Sequence, residues 1–279
     1  MDLRDEDRGA LAEYQYRVAQ QRCGNCLPYH AMWGYVQLAG FRRNSLVQQS
    51  ENLETLIGEH ASSRARILIA GAADATSLAL TAQATKDGGT RITVADHCET
   101  PLDVCRAFAK AHGIAASTVK VDLAEVPAGG AYNLVFAHVV LMFIAKEQRV
   151  GFLRNLRSSL AEGGRLLLIH KLRYRKADGA REHKARLFAQ RVIDALSERG
   201  IGLPDEEVRF RQGLEKYCLA RDARDENPIG FEEVEADLAA AGFKIARRID
   251  HRRAPVACDD DAPPAAIIST RIFIAGRET

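Results

Sequence analysis

The sequence predicts an α/β fold built on a doubly wound, mostly parallel sheet. Short aliphatic runs alternate with helical segments over residues 66–170, which is typical of parallel strands joined by right-handed helical crossovers. The first run, residues 66–70, ends at Gly71, and the second closes with Asp96. A glycine there lets a ligand approach the backbone, and the acid can accept the hydroxyls of a ribose. The pattern therefore predicts a nucleoside site.

The elements of this region follow from their own patterns. Five runs are predicted as strands: 66–70, 91–95, 118–122, 133–137 and 165–170. Three segments are predicted as helices: 75–86, 101–112 and 146–161. The second helix has Thr100 as N-cap, Pro101 at its first position and Gly113 just after its end.

The flanking segments are predicted to add helices to both ends of the α/β region. Residues 1–63 carry apolar side chains at helical spacing and form a helical N-terminal cap, and residues 64–279 form the α/β domain. The polar stretch 172–230 has helical periodicity, with apolar positions that include Leu187 and Val208. An insertion after the fifth strand emerges on the ligand side of such a sheet, so we predict that it covers the site as a lid.

The C-terminal segment is predicted to complete the sheet with an antiparallel hairpin. A helix is expected at 231–241, and the runs 243–249 and 267–275 have the length of two strands. The acidic, proline-containing stretch 259–264 is the exposed link between them.

The amino-acid composition and net charge indicate which class of protein and which kinds of partner are expected. The chain of 279 residues is 47% hydrophobic and 27% charged, as in soluble globular proteins. A net charge of +2 is too small to indicate a nucleic-acid partner. Apolar runs fall short of the ~20 residues of a membrane helix, and the start of the chain has no signal-like segment. We therefore expect a cytoplasmic protein with reduced cysteines and a small-molecule partner, and apolar N-terminal helices make a homodimer one option.

The turn after the first strand distinguishes between nucleoside ligands. A dinucleotide site requires three glycines, but Ala73 and Ala75 occupy the later positions. S-adenosylmethionine carries a ribose and an adenine without a phosphate. At these residues the sequence resembles the class I S-adenosylmethionine-dependent methyltransferases. The resemblance covers residues 64–172, and more weakly the segment after Gly230.

Five motifs carry this resemblance, in the order that the family has them: Ile67–Ala75, Val94–Asp96, Val121–Leu123, Tyr132–His138 and Leu160–Ile169. The resemblance implies S-adenosylmethionine as cofactor. It also implies the cofactor-binding residues: Gly71, Ala72, Asp96, His97, Asp122 and Leu123. The sequence departs from the family pattern where Ile69 replaces a usual acid, Ala73 and Ala75 replace glycines, and Asn133 replaces a common aspartate. These departures bear on the contacts to the methionine amino group.

Candidate reaction residues lie at strand ends and in the helical segments. Methyl transfer needs an acceptor held against the methyl group and, for an oxygen or thiol acceptor, removal of a proton. His138 ends the fourth strand and is predicted as the catalytic base, because an unperturbed imidazole has a suitable pKa. The alternative is a histidine bonded to a backbone carbonyl. Tyr29, Trp33 and Tyr217 are predicted to bind the acceptor, although each also suits packing between elements.

The sequence Cys23-Gly-Asn-Cys26, followed by His30, indicates a different chemistry. Such a set could bind zinc or form a redox dithiol. Since a second CxxC pair and a clear fourth ligand are missing, the sequence prediction assigns no metal ligand.

The sequence thus predicts a methyltransferase that uses S-adenosylmethionine and acts on a small molecule, with an oxygen, nitrogen or sulfur acceptor. Two alternatives stay open. A non-catalytic cofactor-binding or assembly protein of the same fold would tolerate the departures in the first motif. A nicotinamide-dependent oxidoreductase would share the ribose acid but should have the missing glycines.

Overall fold

The computed structural model describes residues 5–41, 50–61, 64–85, 89–123, 131–172, 180–225, 228–253 and 268–277. The chain divides into two compact units. The sheet unit contains the described residues of 49–172, 229–253 and 267–279, and the helical unit contains those of 1–48 and 173–228. The predicted link 259–264 lies outside the described residues.

The described residues of the sheet unit form seven strands: β1 (Arg66–Ala70), β2 (Arg91–Asp96), β3 (Ala116–Lys120), β4 (Tyr132–His138), β5 (Leu160–Leu172), β6 (Phe243–Arg253) and β7 (Ile268–Arg277). Their spatial order is β3-β2-β1-β4-β5-β7-β6. The first five strands pair in parallel, and β7 runs antiparallel to both β5 and β6. The predicted doubly wound sheet with a C-terminal antiparallel hairpin is therefore confirmed.

The described helices, in chain order, are α1 (Asp5–Arg22), α2 (Leu27–Leu38), α3 (Ser50–His60), α4 (Thr76–Ala84), α5 (Glu99–His112), α6 (Lys146–Ser159), α7 (Arg181–Glu198), α8 (Glu207–Asp225) and α9 (Phe231–Ala240). Of these, α1, α2, α7 and α8 belong to the helical unit. The remaining helices belong to the sheet unit. No helix in the described part of the chain combines the length and the apolar character needed to cross a membrane.

The strand order reverses next to β1, which has β2 on one side and β4 on the other. Ala70 is paired with Ala95, and Ile69 with Phe136, so the ends of these three strands lie at one edge. In doubly wound sheets, ligands bind in the crevice at such a reversal. The buried strands fix the position of this edge, because Leu68, Ile69 and Phe136 are almost fully inaccessible to solvent.

Several boundaries differ from the sequence prediction; strand β5, for example, begins at Leu160 rather than at residue 165. Helix α5 begins at Glu99, two residues before the predicted start, so Pro101 lies in its first turn rather than at its first position. The cause is the acid that ends β2, because the Cys98 N–H donates to Asp96 Oδ1 at 2.7 Å and Cys98 takes the N-cap position. The predicted end is confirmed, since Gly113 has the left-handed conformation with φ 64°. Strand β3 begins at Ala116, earlier than the predicted residue 118.

The helical unit has its own core. Its buried side chains come from all four helices and include Tyr16, Met32, Tyr35, Val192, Leu196, Phe210 and Leu214. Helices α1 and α2 approach closely, because a Cβ at Gly34 would lie 2.8 Å from the Cβ of Ala12. The predicted apolar faces of the insertion are partly wrong, since Leu187 and Val208 are exposed.

The division into units groups the N-terminal segment with the insertion. The sequence boundaries separated residues 1–63 from an α/β domain that held the insertion 172–230. In the structure, α3 of the N-terminal segment lies in the sheet unit, and the described parts of 1–48 and 173–228 form the helical unit.

The Gly163-Gly164 pair at the start of β5 has a steric explanation. The pairing of β4 with β5 shifts register between Tyr132 and Leu134, next to this pair. Gly163 has φ 72° and open space around it. A Cβ at Gly164 would lie 2.9 Å from the carbonyl oxygens of Ala161 and Tyr132, which are backbone atoms that cannot rotate away.

Alanine substitutions should distinguish the backbone conformation of Gly163 from the steric contact at Gly164. Gly163→Ala places a side chain in the left-handed conformation without a clash, and it should lower the free energy of unfolding by about 1–2 kcal/mol. Gly164→Ala forces strands apart and should cost about 3 kcal/mol. Urea denaturation followed by circular dichroism measures both. Equal losses, or a larger loss for Gly163→Ala, would contradict the assigned clash.

Candidate active site

The acid that ends β2 connects three backbone segments. The side chain of Asp96 is buried. Its Oδ2 accepts the N–H of Ala72 at 2.9 Å, and its Oδ1 accepts the N–H of Cys98 at 2.7 Å. The carboxylate thus fixes the turn after β1 to the start of α5. The predicted ribose acid lies inside the site edge rather than in bulk solvent.

Gly71 keeps the turn after β1 narrow. It has φ 85°, a left-handed conformation that favours glycine, and its N–H donates to Ala95 O at 2.8 Å. A Cβ at this position would lie 3.0 Å from Val140 Cγ2 and 3.6 Å from Leu123 Cδ1. Three strand ends therefore converge on this glycine, and the apolar side chains of Leu123 and Val140 face it.

The other predicted cofactor residues surround this point with different exposure. His97 is exposed, and its Nδ1 lies 3.5 Å from Asp96 Oδ1. Asp122 is exposed shortly after β3, whereas the neighbouring Leu123 is buried. At this edge of the sheet, exposed polar side chains therefore lie beside a buried apolar side chain.

Residues of the first and fourth motifs have local structural roles. Asp74 Oδ1 accepts the N–H of Thr76 at 2.7 Å, so a side chain satisfies a donor at the start of α4. Asn133 Oδ1 accepts the N–H of Arg66 at 2.8 Å and ties β4 to the beginning of β1. Ile69 is part of the buried core. Ile69 and Asn133, two of the departures from the family pattern, therefore have structural roles in the sheet.

His138 lies where the sequence predicted, at the end of β4, but its pKa is lower than the unperturbed value that was expected. Burial lowers its pKa to about 3, and the nearby Lys171 ammonium adds to the shift. The imidazole is therefore neutral at pH 7 and a weak base. The expectation of an unperturbed pKa suited to a general base is wrong for this environment.

The sequence prediction missed the two residues after His138. Val139 has φ 53°, a conformation that is rare for a β-branched residue, and its N–H donates to Ile169 O at 2.8 Å. Such strain is concentrated at functional sites, where the surrounding structure maintains it. The bend turns Val140 toward Gly71. Neither valine carries a sequence signal for this conformation.

The three residues that are predicted to bind the methyl acceptor lie close together within the helical unit. The ring of Tyr29 stacks on Trp33 at a centroid distance of 5.6 Å and on Tyr217 at 6.0 Å. Tyr217 also stacks on Phe188, and the guanidinium of Arg221 lies 4.9 Å from the Phe188 ring centre. These residues form a row of aromatic faces that joins α2, α7 and α8.

Comparisons with known proteins agree with the observed fold. A family model described as a methyltransferase domain matches residues 67–164. A carboxy-S-adenosyl-L-methionine synthase from Pseudomonas paraeruginosa is 38% identical over 112 residues, which cover 40% of this chain and 38% of the relative. A protein of the same name from Pseudomonas aeruginosa is 37% identical over 112 residues. The matched stretch therefore spans about two fifths of the length of these curated relatives.

Solved structures share the fold at low sequence identity. A putative methyltransferase from Bacillus halodurans has a TM-score of 0.54 and 14% identity, and the match covers 83% of this chain and 100% of that one. The geranyl diphosphate C-methyltransferase from Streptomyces coelicolor, in complex with Mg²⁺, geranyl-S-thiolodiphosphate and S-adenosyl-L-homocysteine, has a TM-score of 0.51 and 12% identity. That match covers 83% of this chain and 76% of the other. The strand order and the match of residues 67–164 to a methyltransferase-domain model agree with the predicted resemblance to the class I S-adenosylmethionine-dependent methyltransferases.

Proposed function

We propose that the chain is an enzyme that transfers a methyl group from S-adenosylmethionine to a small molecule. The observation that carries the proposal is the buried carboxylate of Asp96, which is held beside the narrow turn at Gly71. The cofactor would contact the six predicted residues: Gly71, Ala72, Asp96, His97, Asp122 and Leu123. The family match to a methyltransferase domain supports this proposal over a nicotinamide-dependent oxidoreductase.

Asp96 retains the capacity to bind a ribose. An ionised carboxylate accepts about four hydrogen bonds. The backbone N–H groups of Ala72 and Cys98 donate to its two oxygens and hold the carboxylate in place. The two ribose hydroxyls are proposed to donate to the same oxygens. A preorganised acceptor of this kind loses little entropy when the ligand binds.

The neighbouring strand ends provide a surface for the adenine. Leu123 and Val140 are buried apolar side chains that face the Gly71 position, and a flat aromatic base can pack on them. The exposed Asp122 lies at the rim, where its carboxylate could accept the adenine amino group. The chain thus offers apolar and polar contacts that suit an adenosine.

The reaction then depends on positioning. S-adenosylmethionine, when bound, supplies an electrophilic methyl group. Because the pKa of His138 is low, its neutral imidazole can orient an acceptor by a hydrogen bond but removes a proton poorly. The aromatic row of Tyr29, Trp33 and Tyr217 is proposed to contact the acceptor, for which an oxygen, a nitrogen or a sulfur atom is equally suitable. The lid role of 172–230, the cytoplasmic location and the homodimer stay predictions.

A second candidate follows from the curated relatives, whose name states the synthesis of carboxy-S-adenosyl-L-methionine. Mass spectrometry of the nucleoside that remains bound during purification separates the two functions. S-adenosylmethionine or S-adenosylhomocysteine is expected for the methyltransferase. A bound nucleoside whose mass exceeds that of S-adenosylmethionine by one added carboxyl group would favour the second candidate. Tight nucleoside binding without turnover on a panel of acceptors would favour the non-catalytic alternative.

Replacing Asp96 should weaken cofactor binding. We expect Asp96→Ala to bind S-adenosylhomocysteine more than tenfold more weakly, since hydrogen bonds to a charged group contribute about 1.5–3 kcal/mol. Isothermal titration calorimetry measures the affinity. The Glu162→Gln variant is the control, because it also removes one negative charge, but from an exposed residue outside the proposed site. Unchanged affinity in a folded Asp96→Ala protein would remove the assignment.

The imidazole of His138 should stay neutral in mildly acidic solution. Its lowered pKa predicts that the ¹⁵N shifts of the His138 ring do not titrate between about pH 5 and 8, whereas the urea-unfolded chain titrates near 6.5. Long-range ¹H–¹⁵N spectra, assigned with His138→Asn, give the measurement. A midpoint between about pH 6 and 7 in the folded protein would restore the general-base interpretation.

A further inference from the structure

The turn between α1 and α2 brings three metal-binding side chains together, all within the helical unit. Cys23 follows α1, Cys26 is the N-cap of α2, and His30 lies in the first turns of α2. One ligand atom from each lies within 4.8 Å of the others. Cys23 Sγ is 3.3 Å from His30 Nδ1. This cluster of Cys23, Cys26 and His30 has no part in the function proposed above.

Local backbone geometry produces this arrangement. The Cys23 N–H donates to Ala19 O at 2.9 Å and closes the last turn of α1, and the Leu27 N–H donates to Gly24 O at 3.0 Å. The His30 N–H then donates to Cys26 O at 3.1 Å, so these two residues are one helical turn apart. Residues at i and i+4 lie on the same face of a helix. The C-x2-C-x3-H spacing therefore directs all three side chains to one point.

Packing holds the backbone of this cluster in place. His30 is 5% exposed, and its carbonyl oxygen accepts a hydrogen bond from Gln15 Nε2 of α1 at 2.9 Å. Gly34, one turn further along α2, allows the close contact with Ala12 of α1. The ring of Tyr29 lies edge-on to the His30 ring at 5.4 Å. The ligands are thus preorganised by contacts that do not require a metal.

We propose that Cys23, Cys26 and His30 bind a zinc ion. Thiolates and imidazole are the ligands that zinc prefers, whereas calcium and magnesium require oxygen. In a tetrahedral site with ordinary bond lengths, a sulfur and a nitrogen ligand lie about 3.6 Å apart. The observed separation of 3.3 Å between Cys23 Sγ and His30 Nδ1 is close to this value. The ion stabilises the turn that joins α1 to α2.

Binding has a defined proton balance. Each thiol that coordinates the ion gives up its proton to solvent, and the histidine binds as neutral imidazole. Two protons are therefore released when both cysteines are protonated beforehand. Three side chains fill three of the four positions of a tetrahedral ion, and water or a further side chain completes the set.

A redox dithiol is the competing interpretation of the CxxC pair. No disulfide joins Cys23 and Cys26 in the structure. A dithiol switch requires only the two sulfur atoms, whereas this structure also directs a buried histidine nitrogen at Cys23. The third ligand therefore favours a metal over a disulfide.

Metal analysis of the full-length protein tests the proposal. Protein purified without a histidine tag and reconstituted with Zn²⁺ should hold one ion per chain by inductively coupled plasma mass spectrometry. Replacement by Co²⁺ should give thiolate-to-cobalt charge transfer and the visible bands of tetrahedral cobalt. Cys23→Ser, Cys26→Ser and His30→Gln should each weaken zinc binding more than about 100-fold, beyond the 10–100-fold typical of groups that only orient ligands.

Two further variants make the result decisive. Cys105→Ser removes a buried thiol on α5 outside the cluster and should leave the metal content unchanged. His30→Cys keeps a ligand, so it should retain the ion and strengthen the charge-transfer band, which excludes misfolding as the reason for loss in His30→Gln. A wild-type protein that binds no zinc, a Cys23–Cys26 disulfide that forms despite added Zn²⁺, or a His30→Gln protein with full zinc affinity would overturn the proposal.

Discussion

The site depends on one buried carboxylate that organises the backbone around it. Asp96 ends β2, and its two oxygens accept backbone N–H groups from the turn after β1 and from the N-cap of α5. A buried carboxylate is costly unless it is hydrogen-bonded, and these contacts supply hydrogen bonds to it inside the edge. The same contacts fix the orientation of the carboxylate. The Asp96 side chain therefore both stabilises the fold of this edge and is proposed to bind the ligand.

The turn at Gly71 adds a second constraint at the same edge. Its left-handed conformation and its proximity to Val140 require a residue without a side chain. The strained Val139 places that valine against the turn. A sheet with rigid, buried central strands can maintain such strain, because the residues packed around each strand end determine its geometry.

Parts of this arrangement were predictable from the sequence. The limits of β1 were predicted to the residue because a buried parallel strand appears as a continuous apolar run. Strand β3 was predicted two residues late, since an edge strand with an exposed Val119 has a weaker pattern. The start of α5 was missed because a side chain from another element, Asp96, determines it. Local propensity does not include such contacts.

The chemistry of single residues was harder to predict than their position. The place of His138 at a strand end followed from the fold, but its low pKa arises from the packing of the whole edge. Tyr29 and Tyr217 were each predicted to contact the acceptor, and only the tertiary structure stacks them in one row. The CxxC pair was visible in the sequence. The position of the His30 nitrogen against Cys23 Sγ was not.

The central claim is that Asp96 binds the ribose of an adenosine. The most direct measurement compares S-adenosylhomocysteine with its 2′-deoxy analogue by calorimetry, in the wild-type protein and in Asp96→Asn. The account predicts that the wild-type protein prefers the ribose ligand by about tenfold or more, and that the variant loses most of this preference. A wild-type protein that binds both ligands equally, or a variant that keeps the full preference, would contradict it.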